Sequence, residues 1–430
     1  MSEFTHAEII LGVMVAIYVL AKVLKLSTEL SMLAAALSGG LAAGFWIPAR
    51  HIAEGSITYL DINLIFITAT LFMNILKESG GVAFAVRSIL KRFHNNRVLL
   101  LILMTLLLLI PGALTGAGSV TVLITGGMVA VVLHYMGISK VRTAAIVFII
   151  AGLSAAAPPV SLWAMMTAAG VNMPYVGFFM PLLVPCIVGA LITIFILGGK
   201  GEKPDIGKVL MELPEPPLKM NWIRILLPFL VFFGLIFMGR QWPHSTPIIG
   251  LPLMFLFAAA TSFFLSPKPL NFFKISKETI KQLLPLIGTL TCVGILVQIM
   301  TLTGVRGFLA VTAVTLPIYV VFGSLFFLLP VSEAVLMWGA APVIGVPLIL
   351  LFNTIGLNPI VALAGMSVIW PLGDALPPTA VIGRLTVDVV GAKDSYSKFL
   401  KTCMIPAAII MVIGTLMVIF SSKLSFLTGL

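Results

Sequence analysis

Ser154-Ala155-Ala156-Ala157-Pro158-Pro159 decides the reading of this chain, because Gly373-Asp374-Ala375-Leu376-Pro377-Pro378 repeats its frame 219 residues later. The same offset carries Pro111 onto Pro330, Gly126 onto Gly345 and Gly137 onto Gly356. Each Pro-Pro pair cuts an apolar run that would otherwise read as a membrane helix, since proline lacks the amide hydrogen that continues the helical ladder and crowds the preceding turn. Two breaks in one register point to two related halves, each with a helix interrupted at mid-membrane depth, where secondary carriers place substrate and coupling ions.

Working outward, the chain is 60% hydrophobic and only 10% charged, with a mean hydropathy of +1.16. Soluble domains carry roughly 25% charged residues, so this composition excludes them and predicts an integral membrane protein. Predicted spans are 7–24, 32–48, 60–76, 98–110, 175–197, 225–238, 248–265, 284–299 and 407–420, each reaching or approaching the ~20 residues a crossing needs. They recur to the C-terminus, so none reads as a cleaved signal. Cys186, Cys292 and Cys403 stand alone in apolar runs and read as lipid- or core-facing filler rather than metal ligands.

The net charge of +11 has a topological reading. If each half has five crossings and one re-entrant hairpin, only Arg50, Arg240, Arg306 and Lys423 of the 26 Lys and Arg fall on one face. The other face, which includes Lys393, is then cytoplasmic and both termini are outside. An odd number of crossings inverts the second half relative to the first. The expected fold is therefore an all-α membrane protein of inverted-repeat, elevator-type design. Residues 1–197 form the first repeat, with a hairpin at about 98–133 and a broken helix at about 141–172. A cytoplasmic linker follows at 198–221. The second repeat, 222–430, has its hairpin at about 311–352 and its broken helix at about 358–388. Amphipathic stretches 82–92 and 272–283 read as interfacial helices or as snorkelling helix ends.

Hairpin arms 98–110 and 120–133 are predicted to meet at a tip opened by Pro111, and arms 311–329 and 334–352 at Pro330-Val331-Ser332-Glu333, with proline stopping each first arm. A helix broken in the membrane offers free carbonyls at one arm and free amides at the next, which suit a cation and an anion respectively. The first half supplies Thr115, Gly116, Gly118, Ser119 and Ser154 to Ala157; the second supplies Ser332, Glu333, Gly373 to Leu376 and Thr379. As close-packing residues of membrane helices, the small ones have an ordinary alternative role. Ionisable groups at this depth cost several kcal/mol, about 2.5 to 3.5 on insertion scales, so Glu333, Asp374, Arg384 and Asp388 stand out. Asp374 is the candidate cation ligand. Glu333 reads either as a site residue or as a cap of the second arm, and Arg384 as a substrate contact, a partner of Asp388 or an interfacial anchor. His134 reads as a satisfied buried histidine rather than a proton relay. No His-Glu-x-x-His, Gly-x-Ser-x-Gly or Gly-x-x-x-x-Gly-Lys-Ser/Thr motif occurs, so the chain reads as a non-enzyme with no organic cofactor.

Residues Phe72 to Gly81, the Gly116-Ala-Gly-Ser119 tip, Ser154 to Pro159, Ser332-Glu-Ala334, Pro342, Pro347, Ile355 to Pro359 and Leu376 to Pro378 resemble the large membrane subunit of TRAP (tripartite ATP-independent periplasmic) transporters, from about residue 60 onward. The resemblance implies sodium-coupled symport of a small organic anion, such as a C4-dicarboxylate or sugar acid, by an elevator mechanism in a bacterial inner membrane. It implies one sodium site at Gly116, Ser119 and Ser154 and another at Ser332, Asp374 and Thr379. Thr115, Gly118, Ala157, Pro158, Glu333, Pro377, Pro378 and Arg384 are the candidates around the substrate. Leu376 stands where the family often has threonine, and Ala157 precedes the first pair, so side-chain ligation is lost at both positions. Such subunits work with a four-span small subunit and a periplasmic binding protein. The sequence leaves open proton instead of sodium coupling, a stand-alone carboxylate symporter, a homo-oligomer, and a channel or structural subunit.

Overall fold

The computed structural model describes residues 3–242, 244, 245, 247, 249–392 and 396–429. Ile248, the start of one predicted span, and Lys393 in the charge sort lie outside them. Within the described residues the regular structure is helical throughout. Helices α1 (Glu3–Val23), α2 (Thr28–Ala42), α3 (Ala49–Ile57), α4 (Leu60–Glu78) and α5 (Gly81–Phe93) lead into α6 (Arg97–Thr115). The return arm is α7 (Gly118–Thr121), a π-helical turn (Val122–Gly126) and α8 (Gly127–Tyr135). Next come α9 (Lys140–Ala156), α10 (Leu162–Gly170), α11 (Phe179–Gly198), α12 (Ile206–Glu212), α13 (Trp222–Gln241) and α14 (Leu251–Phe264).

The 31-residue α15 (Phe272–Leu302) precedes α16 (Val305–Thr315) and α17 (Ile318–Leu336). A 3-10 turn (Met337–Gly339), a second π-helical turn (Ala341–Gly345) and α18 (Val346–Thr354) follow. The chain then runs through α19 (Pro359–Ser367), a 3-10 turn (Trp370–Ala375), α20 (Val381–Val390), α21 (Tyr396–Ile419) and a final turn (Ser425–Thr428). Nine helical segments among the described residues are long and apolar enough to cross a membrane, so this is a multi-pass membrane protein.

Helix ends follow local chemistry. Asn96, Asn221, Asn271 and Asn358 accept hydrogen bonds from the first free amides of α6, α13, α15 and α19 at 3.0 to 3.1 Å. Gly116 ends α6 at φ 66°, a left-handed cap that only glycine adopts without a Cβ penalty. The 219-residue offset holds in the backbone as well. It superimposes the two π-helical turns, carries α8 onto α18, and relates Gly137 and Gly356 at φ 79° and 78°. Both Pro-Pro bonds are cis.

The hairpins depart from the sequence expectation. Pro111 and Pro330 lie inside α6 and α17 instead of stopping them, because a buried membrane helix tolerates one missing ladder bond when its neighbours support it. Predicted arm 311–329 is in fact split at Leu316-Pro317, and the arm that reaches the tip is α17. Its tip falls at Met337, leaving Ser332 and Glu333 in the last turn of the first arm, so Glu333 caps nothing on the second. The stretch 272–283 is the start of α15, continuous with its span through Pro285. The linker is packed: Arg87 of α5 donates through Nη1 to the carbonyls of Leu210 and Leu213 at 2.9 and 2.8 Å.

Helix α9 is the axis of the core. Every residue from Thr143 to Ala156 is buried, and α6, α11, α20 and α21 pack around it. On the other side α3 crosses α15 backbone to backbone at Gly55 and Gly294, where a Cβ on Gly294 would lie 2.2 Å from the Gly55 carbonyl oxygen. Gly294→Ala is therefore expected to lower the melting temperature in detergent, by the ~1–3 kcal/mol that overpacking costs. Gly234 of α13 meets nothing within 4 Å, so Gly234→Ala should leave stability unchanged or raise it by up to about 1 kcal/mol through helix propensity. Equal effects of the two substitutions on thermal unfolding would contradict this packing.

Candidate functional site

The first break is neutral and tightly closed. Ser154, near the end of α9, donates to the Ala151 carbonyl at 2.6 Å and shares a 2.8 Å hydrogen bond with Thr121 of α7. With its single proton directed at Ala151, Ser154 accepts from Thr121. Gly118 packs against α9, where an added Cβ would sit 2.8 Å from the Ala151 oxygen, and Gly116 lies against Phe66 and Val160. Thr115 is buried and donates back to Pro111 O at 2.7 Å. The Val160 amide, just past the Pro-Pro pair, donates to Ala113 O at 3.1 Å and fastens the break to the first hairpin. Ser119 is half-buried at the start of the return arm.

Ala157 and Pro158 face open volume. Together with Leu76, Pro111, Leu183 and Phe229 they wall an apolar cavity of about 610 Å³ between α5, α6, α11 and α13. Pro158 and Pro159 also border a second cavity of about 800 Å³, which Tyr175, Arg240 and Met254 help to line.

The second break differs in chemistry. Thr379 donates to Ala334 O at 2.9 Å, fastening the break to the second hairpin, and Ser332 donates to Leu329 O at 2.8 Å. Glu333 is 0% exposed and Asp374 is 1% exposed. Gly373 places its backbone against α17, with a would-be Cβ only 2.9 Å from Glu333 Cβ. Trp163 of α10 donates its indole N–H to Glu333 Oε2 at 2.9 Å. Glu333 Oε1 and Asp374 Oδ2 are buried without a hydrogen-bond partner. Ion pairs among the described residues are Arg50–Glu54, Arg87–Glu215 and Lys208–Asp205, and none includes this pair.

The structure thus brings together Ser332, Glu333, Asp374 and Thr379, and separately Thr115, Gly116, Gly118 and Ser154. Glu333 sits with Asp374 inside the protein, not on a surface open to an anion. Pro377, Pro378 and Arg384 are exposed, with Arg384 close enough for its charge to act on the Tyr396 hydroxyl. His134 is exposed at the end of α8 with its ring edge-on to Tyr135 at 5.8 Å, which corrects its expected burial. A helix end facing away from the core leaves its last polar residue outside.

Sequence reasoning missed Trp163, Thr121 and Ser161. Trp163 carried a usable signal, because a tryptophan deep in an apolar run needs a partner for its N–H. Ser161 has a buried Oγ without a partner beside the first break. Nothing in the spacing of Thr121 separates it from packing residues.

No protein-family model and no curated protein matches the chain. Several solved structures share its fold, among them an efflux pump and a transporter. Neisseria gonorrhoeae MtrF, from a class of antimetabolite efflux pumps, is 13% identical with a TM-score of 0.63, over 89% of this chain and 85% of that one. The Alcanivorax borkumensis YdaH transporter is 11% identical with a TM-score of 0.60, over 86% of this chain and 87% of that one. At these identities the likeness is one of fold alone. The TRAP resemblance rests on the residues quoted for it.

Proposed function

We propose that this chain is a secondary active carrier of a small organic anion, coupled to a cation bound at the second break. The observation that carries the reading is a pair of buried carboxylates, Glu333 and Asp374, held where a hairpin end meets a broken helix and facing no basic side chain in an ion pair. Anionic groups at this depth are expensive, and a cation that visits them offsets that cost. In a transporter fold such a site is where an ion gradient acts on the cargo.

The carrier works as an inverted repeat, with hairpins and broken helices riding together against a scaffold. The anion is a carboxylate such as a C4-dicarboxylate or sugar acid, met by the neutral first break and the cavities at Ala157, Pro158 and Arg240. Helix amides and hydroxyls recognise a carboxylate without a buried countercharge. Sodium is the coupling ion that the TRAP resemblance implies, with the first-break site at Gly116, Ser119 and Ser154. A small membrane subunit and a binding protein belong to the same reading.

The test is uptake and counterflow of radiolabelled mono- and dicarboxylates in proteoliposomes. Counterflow separates a carrier from a channel, because only a carrier exchanges. Asp374→Ala is expected to cut cation-driven uptake about tenfold or more, the loss of at least ~1.4 kcal/mol of coupling. Unchanged cation dependence in that variant would remove the second break from the coupling site.

A further inference from the structure

The apolar cavity of about 610 Å³ beside the first break is larger and drier than a small anion needs. Among the described residues no charged side chain lines it, and its one hydroxyl, that of Thr125, is spent on the Thr121 carbonyl at 3.0 Å. A carboxylate in the body of this cavity would lose its water without gaining a donor. A hydrocarbon chain would lose nothing. Ala157 and Pro158 close only the deep end, and the rest of the wall belongs to α5, α6, α11 and α13.

Two of these helices present apolar stripes at helical spacing. On α5 the stripe is Val82, Ala85 and Ile89, and on α13 it runs through Trp222, Ile225, Phe229 and Phe233. From its first to its last residue the α13 stripe climbs about 17 Å at the helical rise. That is about half of a ~30 Å hydrocarbon core, the depth of one leaflet. Leu106 and Ile110 of α6 and Leu226 of α13 line the cavity and are exposed, so it opens sideways where α6 faces α13.

Positive charge gathers at the end of the cavity marked by Ile89 and Trp222. Lys91 and Arg92 stand in the last turn of α5 and Arg224 in the first turn of α13. Lys91 and Arg92 are exposed, Arg224 is half-buried, and none of the three enters an ion pair among the described residues. In the adjoining linker Glu215 pairs with Arg87 and Asp205 with Lys208. Phe84 packs edge-on against Trp222 at 5.6 Å, which holds α5 to the start of α13. An amphipathic helix with basic residues on its polar side lies at a membrane surface with its apolar side down. Basic clusters between membrane helices attract anionic headgroups.

We propose that this cavity holds one acyl chain of an anionic phospholipid, whose phosphate lies against Lys91, Arg92 and Arg224. The chain fills the space from Ile89 and Trp222 down to Pro158, and the lipid becomes a fixed part of the wall beside the first break.

The experiment uses the full-length protein in phosphatidylcholine nanodiscs doped with phosphatidylglycerol or phosphatidylcholine brominated on the acyl chains. Quenching of Trp222 emission, taken as the difference between wild type and Trp222→Phe, reads the brominated chain at the cavity. Lipid that merely surrounds the protein quenches without regard to headgroup. The expected result is half-quenching by the brominated phosphatidylglycerol at a mole fraction about tenfold or more below that of the phosphatidylcholine, since each basic side chain near a membrane surface favours an anionic lipid about fivefold. Lys91→Gln, Arg92→Gln and Arg224→Gln together should erase the preference. Ala85→Phe or Ile187→Phe, each of which fills the cavity, should leave only the headgroup-blind quenching, and if one does not purify as a folded protein the other decides. Equal quenching of the wild type by both lipids, or a preference that survives the triple substitution, overturns the proposal. A preference that survives cavity filling puts the lipid on the surface and overturns it equally. So do discs carrying two copies in which Trp222 is shielded from both lipids, since the cavity then belongs to a second copy of this chain. No cargo takes part, so the outcome is independent of the carrier reading.

Discussion

Gly373→Val is expected to abolish uptake and to lower the unfolding temperature of the protein in detergent. A Cβ at Gly373 would sit 2.1 Å from the Pro330 carbonyl oxygen and 2.9 Å from Glu333 Cβ. Neither obstacle can step aside easily, because Pro330 belongs to the backbone of α17 and Glu333 is held by Trp163. The 3-10 turn must therefore lift off the hairpin, at a cost on the order of 3 kcal/mol or more for a branched side chain against backbone. Lifting it carries Asp374 away from Glu333, so the chemistry of the site is lost along with the packing. Wild-type uptake by a folded Gly373→Val protein would show that this backbone contact does not exist in the working state.

The second large effect lies at the first break. Gly112→Ala brings a methyl group to within 1.9 Å of Ser154 Oγ and 2.8 Å of Thr121 Oγ1, so the hydroxyl pair that joins α9 to α7 must break. We expect a loss of uptake and a clear drop in unfolding temperature from Gly112→Ala alone. Ser154→Gly alone should cost about 0.5 kcal/mol through helix propensity, plus a hydrogen bond. The double variant should recover much of what Gly112→Ala loses, since the new methyl then occupies the space of the old hydroxymethyl. Contacting residues of this kind couple by about 0.5 to 3 kcal/mol in a double-mutant cycle. Additive losses in unfolding temperature would mean that the two residues do not share that space.

Both predictions rest on features that the sequence marks unevenly. The two Pro-Pro pairs, their offset and the apolar spans were legible, because proline and hydropathy act locally and leave a local trace. The hairpin tips were misplaced because proline was read as a stop, whereas α6 and α17 are held straight through it by neighbours that no local pattern reveals. Asp374 and Glu333 could be singled out by the cost of their charge. That the backbone beside Asp374 packs on Glu333 could not be, since this depends on how the 3-10 turn settles against α17. The partnership with Trp163 spans 170 residues and is set wholly by packing. Arg384 shows the reverse case: its charge made it conspicuous, while its position on the exposed side of α20 follows from that helix's amphipathic pattern.

Helix α10 has a divided allegiance. By chain order it belongs to the first half, yet Trp163 bonds Glu333, Thr167 donates to Ala341 O at 3.1 Å, and Arg306 donates to the Gly170 carbonyl. All three partners belong to the second half. The halves are therefore not interchangeable cassettes: a chimera that imports a foreign first half arrives without the ring that fits this glutamate. Any ancestral exchange or circular rearrangement of this fold would have had to carry α10 and the second hairpin together as one heritable unit.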